Sequence, residues 1–403
     1  MTAKSISPVK SKERIQVIDI LRGLALLGII MVNVHEISYS RYVTEIAGTG
    51  IDRAAEFITD AFFLNKFYTL FSFLFGLGMA VQMIRAEKKS VSFPRMYLQR
   101  LAWLLIFGLH HAIFIWDGDI LATYALIGIF LLLLRNLKPK TLIALSVVLI
   151  IVQTGVNFVE LEGNQDLGAG AYLSTKADSQ VEIDFFRTAS HTEITASRLE
   201  NTIEADSPWL ILLAPFSVLY IGIDVLAAFL FGLAVGKLRW FNDIEGNLQL
   251  WKNVFRWAFP IGLGTALIGA YLANLPSTSG AANGLNNLGS LLLQLGAAPM
   301  TLGYISRIVL LSRKYKSLSL FSSPGKIALT LYLSQSIILT LIFYSYGLGL
   351  FGTMGVAAAM ALALAIYTIQ VVFSILWMRF FLFGPFEWLW RSLTYRRFQP
   401  LKR

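Results

Sequence analysis

Runs of about twenty predominantly apolar residues follow one another along the whole chain, and short clusters of Lys and Arg separate them. A run of that length crosses a bilayer as one helix, because a rise of 1.5 Å per residue covers the roughly 30 Å hydrocarbon core. The backbone finds no water there, so it must satisfy its own polar groups by forming helices or closed barrels. The fold class this predicts is an all-α polytopic membrane bundle. Ten transmembrane helices are expected, at 17–37, 62–84, 101–116, 119–134, 141–160, 209–236, 254–274, 287–311, 326–346 and 352–378. The third and fourth are short and only Asp117 and Gly118 part them, which predicts a tight helical hairpin. Pro260 and Pro299 predict kinks in the helices they interrupt.

Charge supports this reading. Charged residues make up 14% of the chain, against about 25% in soluble domains. The net charge of +10 is not one patch: 27 of the 34 Lys and Arg fall in the tails and loops of one side of the ten spans, and six on the other. By the positive-inside rule this puts both termini in the cytoplasm and argues against a nucleic-acid surface. Asp19 and Arg22 interrupt the first apolar run, so it is expected to be a span and not a cleaved signal peptide. The absence of Cys excludes disulfides, thiolate nucleophiles and Cys-ligated metals.

The organisation expected is an N-terminal half of five spans over 1–160, an acidic outer loop or cap over 161–208, a second half of five spans over 209–378, and an interfacial amphipathic tail over 379–403. Phe-Leu-Phe-Gly occurs at 73–76, 229–232 and 381–384, as an internal duplication or as chance in a chain rich in these residues.

A charge at the bilayer centre costs about 2.5–3.5 kcal/mol on insertion scales, so ionisable residues inside apolar runs must face a bundle interior or cavity. The first span carries Asp19, Arg22, Asn33, His35 and Glu36. Asp19 and Arg22, three apart, read as an interfacial ion pair or as an anion anchor. Arg22 and Asn33, eleven apart, share a face. Lys66, beside Asp60 and Asn65, reads as an interfacial cap or as a ligand contact. His110 and His111 point about 100° apart, so at most one faces the interior. His111 with Asp117 or Asp119 reads as helix packing or as a base whose tautomer the carboxylate fixes. Four histidines, one in a loop, do not supply a metal site. Gln335 reads as an interhelical hydrogen bond or an interior polar group. Glu387 and Arg391, four apart in the tail, read as an interfacial anchor or as a lid on a donor site.

Five stretches, taken in order, resemble the YeiB-like family of bacterial multi-pass membrane proteins. They are Asp19-Ile-Leu-Arg22-Gly23 through Val32-Asn33; Lys66 through Gly76; Arg100, then Gly108-Leu-His-His111 and Trp116 through Leu121; Gly325 through Tyr332 with Gln335-Ser336; and Gly384 through Arg391. The first helix is also similar to that of a wider superfamily of transmembrane acyltransferases, including heparan-α-glucosaminide N-acetyltransferase. In one branch an Arg is followed eleven residues later by an essential His. Here Asn33 stands at that offset, so the resemblance implies an acid–base residue elsewhere, at His35 or at His111, which matches a histidine of the YeiB-like pattern.

The resemblance and the buried polarity together imply a membrane acyltransferase in a bacterial plasma membrane, moving an acyl group from a coenzyme A thioester to an acceptor. The catalytic candidates are His111, Asp119, Asp117, Asn33 and His35. The candidates for donor binding are Arg22, Asp19, Lys66, Arg100, Gln335, Glu387 and Arg391. No tightly bound cofactor or metal is expected; acyl-CoA is the co-substrate and membrane lipids are the partners, with a homodimer compatible. The alternative is a transporter for a lipophilic or anionic solute, in which the same intramembrane charges line a path.

Overall fold

The computed structural model describes residues 15–39, 50–89, 92–166, 176–203, 222–275 and 280–403. Among these residues the chain is helical, with no strand beyond a bridge between Phe381 and Lys402. The helices are α1 Gln16–Ser38, α2 Gly50–Phe62, α3 Lys66–Lys88, α4 Phe93–Phe114, α5 Leu121–Leu134, α6 Pro139–Asp166, α7 Lys176–Thr188 and α8 His191–Ile203. They continue with α9 Ile223–Lys237, α10 Leu248–Ala273, α11 Gly280–Lys314, α12 Ser322–Lys326, α13 Ala328–Phe343, α14 Val356–Phe380 and α15 Pro385–Thr394. A 3-10 turn over Lys316–Phe321 leads into α12.

Among the described residues, six helical stretches are long and apolar enough to cross a membrane, and a seventh arises if the bent pair Lys316–Lys326 and Ala328–Phe343 is one span. The other expected spans fall short for physical reasons. At 14 residues α5 covers only about 21 Å. Helix α4 is long but carries Arg95 and Arg100 in its first half. The described part of 209–236 is the 15-residue α9; positions 209–221, like the tail 1–14, lie outside the described residues. Both α10 and α11 run through Pro260 and Pro299 without a break.

Close backbone approaches fix how these helices sit. Gly23 of α1 faces the Phe321 carbonyl and Gly325 faces the Asp19 carbonyl, where added Cβ atoms would stand at 2.0 and 1.7 Å. The Tyr367 hydroxyl of α14 donates to the Gly23 carbonyl at 2.7 Å and completes this junction. Two of the Phe-Leu-Phe-Gly stretches meet each other: Gly76 of α3 lies on the backbone of Phe229, and Gly232 of α9 on that of Phe73. Whatever its origin, the repeat is a helix-crossing device. The third copy supplies Gly384, the residue before α15.

Helices α7 and α8 lie over the ends of α4 and α13. His191 Nε2 is 2.9 Å from the Phe114 carbonyl, Ser345 N donates to the Phe186 carbonyl at 2.9 Å, and Arg187 Nε donates to the Phe351 carbonyl at 2.7 Å. The acidic loop is thus a helical cap across its described part.

Candidate functional site

The short hairpin of α4 and α5 builds the site. Gly108 lets α5 approach closely, since a Cβ there would meet the Ala122 nitrogen at 2.3 Å and Asp119 Oδ2 at 2.8 Å. Asp119 accepts from the Ala122 N–H at 2.7 Å through Oδ2, and so caps the start of α5. Its other oxygen, Oδ1, lies 2.9 Å from His111 Nδ1, and both side chains are 1% exposed. One carboxylate therefore caps the start of a helix and faces an imidazole. Asp117 and His110 are exposed, and His110 packs on Phe114 instead. The ring of Trp116 stands edge-on to His111 at 6.5 Å, and that of Tyr332 from α13 lies 5.4 Å away. Among the described residues neither ring nitrogen of His111 makes a hydrogen bond; Nδ1 lies at ion-pair distance from Asp119, and Nε2 has no such neighbour.

A cavity of about 620 Å³ runs from the basic end of the bundle to this hairpin. At its mouth stand Arg22, Arg85, Lys88, Lys89, Arg100, Lys326 and Arg391, against two acids, Asp19 and Glu387. Its inner walls are apolar or aromatic, with Ile29, Phe71, Leu74, Phe75, Leu104 and Leu121 among them. It ends at Ile120, Tyr124 and Tyr332. Arg100 and His111 lie on the same helix, eleven residues or about 16 Å apart along its axis. The cavity thus combines cationic side chains with apolar walls, and Tyr332 of its lining lies 5.4 Å, ring to ring, from His111.

The C-terminal helix α15 forms part of the mouth. The chain bends by 74° between α12 and α13, at Ile327, and this exposes the first N–H groups of α13. Glu387 receives them: Oε1 accepts from Leu329 N at 2.6 Å and Thr330 N at 3.2 Å, and Oε2 accepts from the Thr330 hydroxyl at 2.5 Å. A carboxylate at a helix N-terminus is stabilised by these donors and by the helix dipole. Burial pushes the Glu387 carboxyl above its usual range, and the Thr330 and Leu329 donors pull it partly back. Trp390 donates to the Arg100 carbonyl at 3.0 Å, and its ring lies 3.7 Å below the Arg100 guanidinium.

The structure separates the sequence candidates into groups. Arg22, Asp19, Arg100, Glu387 and Arg391 meet at the mouth, with Arg22 Nη1 3.2 Å from Asp19 Oδ1. His111 and Asp119 meet beyond its inner end. Asn33 and His35 lie in the last turns of α1 and do not line the cavity; His35 stacks on Tyr39. Lys66 is fully buried at the far end of α3, about 28 Å along the helix from Arg85, and donates to the Asp60 carbonyl at 2.6 Å. Gln335 donates to Gln370 of α14 at 2.9 Å, an interhelical bond away from the cavity. Tyr332, Tyr124 and Trp390 were not among the candidate site residues read from the sequence. The signal for Tyr332 was a polar stripe on an apolar helix, with Gln335, Ser336 and Thr340 at the following turns.

Comparison with known proteins locates the chain among relatives. A family model described as "Protein of unknown function (DUF418)" matches residues 235–397. The uncharacterized protein YxaH of Bacillus subtilis (strain 168) is 35% identical over 412 residues, covering 99% of this chain and 98% of that protein. The uncharacterized protein YeiB of Escherichia coli (strain K12) is 28% identical over 400 residues, covering 96% and 98%.

Proposed function

This chain belongs to the YeiB-like family of DUF418 membrane proteins, and on that footing we propose that it transfers an acyl group from a coenzyme A thioester to an acceptor at the far side of the membrane. One observation carries the reading: a cavity lined by seven cationic side chains is also lined by Tyr332, whose ring lies 5.4 Å from His111 of the buried His111–Asp119 pair. A coenzyme A thioester has matching polarity, with phosphates at one end and the reactive acyl group at the end of a flexible arm. The cations attract the phosphates, and Arg22, Arg100 and Arg391 have the fork geometry that binds them well. The arm extends through the apolar walls. His111 takes the acceptor's proton, and Asp119 holds the imidazole with Nδ1 toward the carboxylate and Nε2 toward the reactants.

The Lys and Arg asymmetry supports a topology with the basic mouth and both termini on the cytoplasmic side, the side from which acyl-CoA would enter. The chain has no Cys, so single introduced cysteines test this orientation without a background. A reporter at Lys402 is expected to resist membrane-impermeant maleimide in intact spheroplasts, and one at Glu193 to react.

The main experiment uses the full chain in nanodiscs with radiolabelled acyl-CoA of several chain lengths. Saturable binding that weakens as salt rises is expected, followed by covalent transfer to an acceptor in a membrane extract. Absence of saturable binding at every chain length overturns the proposal. Delivery of an unmodified ligand across a proteoliposome favours transport instead.

A further inference from the structure

We infer that Tyr332 is a catalytic residue that donates its hydroxyl hydrogen bond to the reacting carbonyl oxygen, opposite His111 Nε2. The inference rests on the acyl-transfer reading above and assigns the electrophilic half of that site.

The argument starts from unmet hydrogen bonding. Buried Tyr hydroxyls ordinarily find a partner, and buried polar groups without one call for an explanation. Tyr332 is 6% exposed, and its hydroxyl proton has no acceptor among the described residues. The Ile120 N–H faces the oxygen but leaves the proton unused. His111 Nε2 is likewise unpartnered. These two groups belong to rings 5.4 Å apart, and Tyr332 also lines the inner end of the cavity. One is a donor without an acceptor. The other is a ring nitrogen whose mate, Nδ1, already faces Asp119. A carbonyl carbon under attack needs both: a donor for the oxygen that gains charge and a base for the nucleophile that loses a proton. Asn33, on α1, is not on this cavity and is not placed to serve as that donor.

The step balances as follows. The acceptor's oxygen or nitrogen bonds to the thioester carbonyl carbon, and the C=O π pair moves onto oxygen under the Tyr332 hydrogen bond. The acceptor's proton passes to His111 Nε2. The carbonyl re-forms, the C–S bond breaks, and the proton moves from His111 to the departing sulfur. The products are free coenzyme A thiol and the acylated acceptor, and Tyr332 keeps its proton throughout.

Tyr332→Phe is the direct test, since it deletes only the hydroxyl. In nanodisc-embedded full-length protein, kcat is expected to fall about 10²- to 10³-fold, with the KM for acyl-CoA within about threefold. Removal of an unsatisfied hydroxyl costs the fold nothing, so the thermal midpoint is expected to stay level or rise. Tyr97→Phe provides the contrast. Tyr97 also lines the cavity and also carries an unpartnered hydroxyl, but it lies about 21 Å along α4 from His111, so it should move KM and not kcat. Full kcat in Tyr332→Phe, or an equal kcat loss in both variants, overturns the inference while wild-type transfer keeps the acyl-transfer reading standing. A wild-type protein that binds acyl-CoA but transfers nothing overturns both.

Discussion

Two helical hairpins of this bundle solve the same topological problem in opposite ways. The α10–α11 hairpin is long and plain. Gly262 lies on the Met300 backbone and Gly289 on that of Ala273, with added Cβ atoms at 2.3 Å from the nearest nitrogen in each case. It contributes no side chain to the cavity. The α4–α5 hairpin is short, bends through an Asp-Gly-Asp turn, and buries a charged side chain against an imidazole at its tip. Its inner face supplies Tyr97, Arg100, Leu104, Leu121 and Tyr124 to the cavity wall. The lesson is one of allocation. In hydrocarbon, helix association rests largely on small residues and close packing, and the glycines of α10–α11 supply both. Buried ionisable groups are costly there; the His111–Asp119 pair sits at the tip of the hairpin that lines the cavity, while Lys66 is buried away from it and satisfied by the Asp60 carbonyl.

Breaking the active hairpin should stop chemistry and spare the fold; breaking the plain one should do the reverse. The largest effect is expected from His111→Asn, which keeps a polar group facing Asp119 but removes the base. Transfer should fall about 10³-fold, measured as turnover per folded molecule, with a thermal midpoint near wild type. Gly262→Leu forces a side chain into the Met300 backbone and should destabilise by about 1–3 kcal/mol, read as lower yield and thermal midpoint, with normal turnover in the molecules that fold. Glu387→Ala uncaps α13 and loosens the α15 wall, which should raise the KM for acyl-CoA roughly tenfold, in line with the loss of hydrogen bonds to a charged group. Arg85→Ala, at a half-buried position of the cavity lining, should weaken binding only a few-fold, and the difference should shrink at high salt.

The sequence made the membrane bundle legible because hydropathy and basic clusters are written locally. That at most one of His110 and His111 faces inward was legible, since adjacent helical positions cannot both do so; the preference for His111 came from the resemblance. Which carboxylate would join His111 was not, because Asp117 and Asp119 flank one glycine and only the turn geometry decides. Tyr332 was hidden because an aromatic residue in an apolar run looks like core until its hydroxyl is seen without a partner. Glu387 was visible as one member of an i, i+4 pair with Arg391, yet its carboxylate caps a helix 57 residues earlier in the chain. Nothing local announces the bend at Ile327 that creates the need for that cap. The span count was the least legible feature, since charge asymmetry supports ten segments but does not say how far each one reaches.

The central claim is that the basic mouth and the buried hairpin tip serve one elongated ligand. An experimental structure of the nanodisc-embedded protein with a non-transferable ketone analogue of acyl-CoA tests it most directly. The account predicts phosphates among Arg22, Arg100 and Arg391, with the ketone oxygen at the Tyr332 hydroxyl and the carbonyl carbon beside His111. An empty cavity at saturating analogue, or an analogue seated on the α10–α11 face, would contradict it.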